Sequence, residues 1–283
     1  MNSSPSFDPN LFLYGINQEL WNKIKKDPLN PLLNKTVSGL YSPGSTIKPL
    51  VALSALENDV INPNMKVNCS GKIEMYEQKY HCWKKKGHGY MSLKNAIKQS
   101  CDIYFYELAR ILGVDRLNIT AEKFGLGKKV LGNYFFNEKK GLVPSTKWKK
   151  DNLGQNWYLG ETFITGIGQG YIQTSPLQLC LMTAQLANGG YKIIPKIKAD
   201  DKIKSISEIQ SKIKDNEQEI KKEDNSLIKA TEEFLKPETD EYKPLYRNQE
   251  NIKFVLDAMF KSCLLYTSPS PRDQRGSRMA SSA

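Results

Sequence analysis

Ser45 and Lys48, three residues apart in Tyr41-Ser42-Pro43-Gly44-Ser45-Thr46-Ile47-Lys48-Pro49-Leu50, are the residues whose types and spacing can do chemistry. A serine hydroxyl is a weak nucleophile at neutral pH and needs a neighbour that takes its proton. A lysine one helical turn away serves if burial or a second cation depresses its pKa, and a helix N-terminus steadies negative charge growing on the serine. Ser-x-x-Lys alone fits an N-cap serine followed by a surface lysine equally well. A second hydroxyl, Ser100 in Gln99-Ser100-Cys101-Asp102, stands at the mouth of another helix. In an acyl-transfer site it can relay a proton, and by itself it reads as a cap. Three of the five cysteines, Cys69, Cys82 and Cys101, fall in one short window with both histidines, His81 and His88. So tight a grouping of rare residues marks a local site.

The elements that must position these groups follow from the pattern around them. A Pro-Gly turn delivers Ser45 to an apolar run (Leu50, Val51, Leu53, Leu56) that predicts a helix to about Asn58. Residues 1–37 are turn-rich, with a short amphipathic segment around Trp21. Residues 62–90 carry Gly, Lys, Tyr and Cys with little periodicity and read as a loop-rich subdomain. Ser92 caps a helix, and Ile103–Leu112 is strongly apolar and helical. Gly166-Ile167-Gly168-Gln169-Gly170 lacks both the dinucleotide spacing and the phosphate-loop lysine, so it is no phosphate cradle. An apolar helix follows from Leu177 to Asn188, closed by Gly189-Gly190, and Cys180 within it is expected in the core. Residues 199–245 form a charged insertion, and Asn251 to Lys261 returns to an amphipathic helix.

With 283 residues, 39% hydrophobic and 25% charged, the chain is large enough to bury a core. No stretch reaches eighteen apolar residues and no basic-then-apolar leader opens it, so neither a membrane span nor a signal peptide is expected within these residues. Lys and Arg number 41 against 30 Asp and Glu, a formal charge of +11. The lysines are scattered without aromatic interleaving, which argues against a nucleic-acid partner; an anionic polymer such as a cell wall, or a membrane surface, suits the charge.

Five linked motifs carry a specific resemblance. They are Ser4-Pro5-Ser6-Phe7-Asp8-Pro9-Asn10; Pro43-Gly44-Ser45-Thr46-Ile47-Lys48-Pro49; His81-Cys82-Trp83 with Gly87-His88-Gly89; Ser100-Cys101-Asp102-Ile103-Tyr104-Phe105-Tyr106; and Gly168-Gln169-Gly170 with Pro176-Leu177-Gln178-Leu179. In order and rough spacing the chain resembles a class B penicillin-binding protein, among the elongation-type peptidoglycan D,D-transpeptidases, over residues 1–198 and again near 250–261. The resemblance implies the mixed α/β (α+β) penicilloyl-serine transferase fold of β-lactamases and transpeptidases, a five-stranded antiparallel sheet flanked by helices. It also implies roles: Ser45 attacks the penultimate D-Ala of a stem peptide, Lys48 is the base, Ser100 the relay, and Asp102 holds the third position of the Ser-x-Asn motif. Implied partners are peptidoglycan stem peptides, β-lactam antibiotics and a membrane glycosyltransferase of the elongation complex, at the periplasmic face of a bacterial inner membrane.

The chain departs from the family at two places. Asp102 stands where many relatives carry Asn, and a carboxylate donates no hydrogen bond unless protonated. No Lys-Thr-Gly or Lys-Ser-Gly follows Ser100. The expectation is a transpeptidase domain over residues 1–262 without its C-terminal sheet strands, anchor or pedestal, inactive as it stands, with residues 263–283 a non-native tail resembling sequencing-adapter read-through. Within the resemblance, Cys69, Cys82, His88 and Cys101 form an acceptable tetrahedral set for structural zinc in a 62–101 subdomain, Asp replacing Cys in some relatives. A disulfide and buried free thiols are the alternatives there, and His81 is the rival imidazole. For the whole chain the alternatives are a class D-type β-lactamase or β-lactam sensor, and a non-catalytic scaffold.

Overall fold

The computed structural model of the chain describes residues 2–75, 77–132, 137–195 and 243–265. Its centre is α2 (Lys48–Glu57), which follows a 3₁₀ turn over Gly44–Ile47. Leu50, Val51, Ala52, Leu53 and Ala55 are wholly buried, so this helix is apolar nearly all round. A helix of that kind belongs inside a bundle, not on its surface. The sequence explains the surrounding elements. Ser92 caps α3 (Leu93–Gln99) by accepting from Asn95 N, and α4 (Asp102–Leu112) and α5 (Val114–Lys123) pack on α2. Ahead of them lies the amphipathic α1 (Gln18–Lys26), with no residue fully buried.

Two helices order the segment before the glycine loop. In α6 (Thr146–Leu153) Lys149 is only 1% exposed, and its Nζ lies 2.5 Å from Glu161 Oε1 on α7 (Leu159–Gly166) and 4.4 Å from the Tyr158 ring centroid. The apolar α8 (Pro176–Ala187) opens with a capping box between Ser175 and Gln178, and α9 (Gln249–Leu265) closes the described chain by packing on α3 and α2. Cys180 is exposed on α8, contrary to the expected core position. That helix is apolar on every side, so periodicity does not tell which face turns inward.

Residues 62–92 also differ from the loop reading. They form two antiparallel ribbons, β1 (Lys66–Cys69) with β4 (Gly89–Ser92) and β2 (Lys72–Met75) with β3 (Gln78–His81). Lys66 pairs with Ser92 and Cys69 with Gly89; Lys72 pairs with His81 and Met75 with Gln78. Each strand has four residues, too few for a periodicity to stand out, although β1 and β2 do alternate polar with less exposed apolar side chains, Lys66-Val67-Asn68-Cys69 and Lys72-Ile73-Glu74-Met75. The tyrosines of α4 hold this subdomain down: Tyr104 Oη donates to Met65 O at 3.1 Å and Tyr106 Oη to His81 O at 3.2 Å. These ribbons are the only sheets among the described residues, and the strands of the larger implied sheet are not among them. The charged insertion and the tail beyond Leu265 lie outside the described residues.

Glu57, buried at the end of α2, fixes where the chain returns. Its carboxylate accepts from the backbone N–H of Arg247, from Asn248 N at 3.3 Å and from Asn251 Nδ2 at 2.7 Å, while Arg247 Nη1 donates to Glu57 O at 2.7 Å. Glu57→Ala strands three donors around a buried position, and each costs ~1–3 kcal/mol unless water reaches it. The expected loss is about 3 kcal/mol by urea denaturation; a midpoint unchanged from the parent chain would show that α9 docks without this anchor.

Candidate active site

Ser45 is presented by a backbone conformation that favours glycine. Gly44 sits at φ +57°, and its N–H donates to Gly168 O at 2.8 Å. A Cβ on Gly168 would lie 2.1 Å from Gly44 O, so the Gly168-Gln169-Gly170 loop serves to back the serine turn at close quarters. A paired bridge between Tyr41 and Thr174, with both N–H to O distances 2.9 Å, locks the two segments together just upstream. Ser45 is exposed, and its hydroxyl has no hydrogen-bond partner among the described residues.

Lys48 points inward from the first position of α2 and is 2% exposed. Its Nζ donates to Ser100 O at 3.0 Å, Ser100 Oγ at 2.9 Å and Asp102 Oδ1 at 2.7 Å, and lies 5.4 Å from the Phe105 ring centroid. Three acceptors match the three protons of an ammonium, and no lone pair is left. Accepting the Ser45 proton requires a neutral amine, which keeps two of these bonds and turns its lone pair toward the serine.

Ser100 is not the cap of the helix that follows it. It closes α3 in the left-handed conformation, φ 51° and ψ 47°, and Cys101 caps α4. A non-glycine residue in that region is strained, and such strain collects where the surroundings need one geometry. The turn directs both the hydroxyl and the carbonyl of Ser100 onto Lys48. Asp102, at the first position of α4, spans two groups: Oδ1 takes the Lys48 ammonium and Oδ2 accepts from Trp83 N at 2.9 Å. Its carboxylate is therefore the counter-ion of the lysine, a role that no local pattern reveals because the partners lie 54 and 19 residues away. Trp83 itself was legible only as part of a motif. The signal that it matters is tertiary: its indole Nε1 donates to Gln99 O and to Ser100 O, both at 3.1 Å.

Cys69, Cys82, His88 and Cys101 converge behind this network, their ligand atoms all within 4.8 Å of one another. The three thiols are free and buried, and His88 Nδ1 lies 3.5 Å from both Cys69 Sγ and Cys82 Sγ. A tetrahedron with metal–sulfur bonds of about 2.3 Å and metal–nitrogen bonds of about 2.0 Å has edges of roughly 3.5–3.8 Å, so the donor set fits zinc. His88 Nε2 is buried without a hydrogen-bond partner, which leaves Nδ1 as the engaged nitrogen. A Cβ on Gly87 would lie 2.1 Å from Cys69 O, so this loop must pass a cysteine backbone too closely for any side chain. The Cys101 thiol donates to Cys82, holding Cys82 as a thiolate with its pKa drawn down to about 5. The same bond, with burial, pushes Cys101 well above the thiol range. His81 ends β3 exposed and outside the cluster.

Comparison with known proteins places this geometry. Residues 1–236 match the penicillin binding protein transpeptidase domain. The chain is 39% identical over 197 residues to the peptidoglycan D,D-transpeptidase MrdA of Acinetobacter baumannii, a match covering 69% of the chain and 29% of that relative. It is similar to the crystal structure of Pseudomonas aeruginosa PBP2 in complex with WCK 5153, with TM-score 0.71, 37% identity, and 92% of the chain and 52% of that protein covered. It is similar to the same degree, TM-score 0.71 with 30% identity, to PBP2 in its complex with MreC from Helicobacter pylori, over 96% of the chain and 43% of that one. The chain thus spans about three-tenths of the length of the curated relative and about half of the solved ones, and its mixed helix-and-ribbon architecture is that of the penicilloyl-serine transferase fold.

Proposed function

Because the chain belongs to the penicillin-binding protein transpeptidase family, we propose that it carries the acylation site of an elongation-type peptidoglycan D,D-transpeptidase, forming 4-3 peptide cross-links. The observation that carries this reading is the convergence of Ser100 and Asp102 on a buried Lys48, one turn from an exposed, unpartnered Ser45. Ser45 Oγ attacks the carbonyl of the penultimate D-Ala, and its proton passes to neutral Lys48. The C–N bond to the terminal D-Ala breaks, and that amine leaves with the proton, handed on through Ser100. The acyl-enzyme is then resolved by an amine from a neighbouring strand, which releases Ser45. The Ser45 backbone N–H, at the start of a helical turn, supplies one donor for the oxyanion.

Cys69, Cys82, His88 and Cys101 hold a structural zinc ion in this reading. Bound zinc supplies a cross-link among β1, the 82–88 loop and the cap of α4, fixing Cys101 between Ser100 and Asp102. The substrates are stem peptides and, as inhibitors, β-lactams. The partners are a membrane glycosyltransferase and, by likeness to the Helicobacter relative, MreC. The setting is the periplasmic side of the inner membrane; no described helix is long and apolar enough to cross a membrane.

The 283 residues contain no Lys-Ser-Gly or Lys-Thr-Gly after Ser100, the third motif that the proposed chemistry needs. Reading the source gene past codon 261 is expected to find it within about fifty codons. Fluorescent penicillin then gives a long-lived adduct on Ser45 in the motif-bearing protein, none in its Ser45→Ala variant and none in the 283-residue chain. A continuation without the motif, or a motif-bearing protein whose Ser45 takes no label, would sink the acyl-transfer reading, and rapid hydrolysis of the adduct would convert it to a β-lactamase.

A further inference from the structure

We infer that Trp83 is a positioning residue for Lys48: through its two N–H groups it holds the same carbonyl and the same carboxylate that the lysine uses. Ser100 O accepts Lys48 Nζ at 3.0 Å and Trp83 Nε1 at 3.1 Å; the Asp102 carboxylate accepts Lys48 Nζ at 2.7 Å on Oδ1 and Trp83 N at 2.9 Å on Oδ2. The lysine approaches from α2 and the tryptophan from the loop after β3, so the α3–α4 junction is gripped between them. This inference rests on the acyl-transfer reading only for the purpose of the lysine, not for the arrangement.

Two features set Trp83 apart from an ordinary packing residue. The residue is 63% exposed, so burial contributes little to holding it, yet both of its N–H groups are engaged by the site. What holds the ring is the loop: Cys82 precedes it in the chain, and the His88 ring stands against it with centroids 5.3 Å apart at 70°. The carbonyl it grips belongs to the one non-glycine residue of the site in the left-handed conformation. Rotating Ser100 out of that strained geometry breaks both hydrogen bonds to its carbonyl. With the indole bond gone, the junction relaxes and Lys48 loses its fixed set of acceptors.

The test is Trp83→Phe, which keeps an aromatic ring and the backbone N–H and removes only the indole donor. Reductive methylation of the 283-residue chain, read by mass spectrometry, reports the protection of each lysine. Lys149 is the internal control, since it is equally buried, is held by Glu161 and stands apart from this network. Loss of one hydrogen bond at the junction is expected to speed modification of Lys48 about tenfold, with Lys149 unchanged. Unchanged protection of Lys48 would overturn the inference. So would equal loss of protection at Lys48 and Lys149, because that outcome makes Trp83 a stabiliser of the whole fold. In the motif-bearing protein the same variant slows penicillin acylation about tenfold while leaving the affinity of the initial complex unchanged. If the unsubstituted protein is not acylated at all, the transpeptidase reading fails, and the lysine comparison still decides Trp83.

Discussion

Lys48→Met is expected to lower the rate of Ser45 acylation in the motif-bearing protein by about a thousandfold, the scale of a lost general base. It also removes the cation from a carboxylate whose side chain is 13% exposed, leaving Asp102 with Trp83 N–H alone. Breaking a buried pair by deleting one partner costs about 3 kcal/mol, so methionine confounds chemistry with folding. Lys48→Arg separates them. Arginine keeps a cation beside Asp102 and recovers much of the stability, but it is always protonated and takes no proton from serine. Rates measured with fluorescent penicillin should fall as far in the arginine variant as in the methionine one, while urea midpoints fall less. Acylation by the arginine variant within tenfold of the parent would remove Lys48 from the role of base.

That pair of variants also shows which parts of the site the sequence discloses. Ser45 and Lys48 are legible because a turn signal, an apolar helix and the two side chains fall within one local stretch. The Cys and His residues are legible because rare types cluster along the chain. The duty of Asp102 is not: read locally it is a substituted motif position, and it becomes the lysine's counter-ion only when α4 is folded against α2. The grip of Trp83 is hidden for the same reason, and so is the capture of Arg247, Asn248 and Asn251 by Glu57 across some 190 residues. Helices of the core were readable from their caps and apolar runs. The four short strands were not, since four residues give an alternation too brief to stand out even where β1 and β2 carry one, and neither was the outward face of Cys180, on a predominantly apolar helix.

Zinc is the second large effect. Protein purified without chelator is expected to contain about one zinc per chain, and stripping it should cost about 4 kcal/mol, the linkage expected when free metal stands a thousandfold above its dissociation constant. For a domain of this size that is a fall of about 10 °C in melting temperature. Cys101→Ser is the informative variant. Serine is a preferred N-cap, so α4 keeps its start, while one of four ligands is lost. Because the variant also alters the contact of Cys101 with Cys82, the metal is reported by the fall in stability of the zinc-loaded protein in excess of the fall in the stripped one. The metal-free protein carries its own pH signature. Cys82 is held as a thiolate down to about 5 against an ordinary value of 9.0, so its contribution is complete above about 9 and is lost as pH falls through about 5. Cys101 is shifted the other way; its contribution is complete below about 9 and is lost above it. Stability of the stripped chain should therefore rise from about pH 5 toward 9 and decline beyond. Zinc steepens the rise below about 9 and removes the decline above it, because every ligating thiol is deprotonated in the bound state while the unfolded chain keeps its thiols protonated below about 9. Protein that holds no zinc, whose three thiols titrate as free and whose melting temperature ignores chelator, would reduce the cluster to buried cysteines around a histidine.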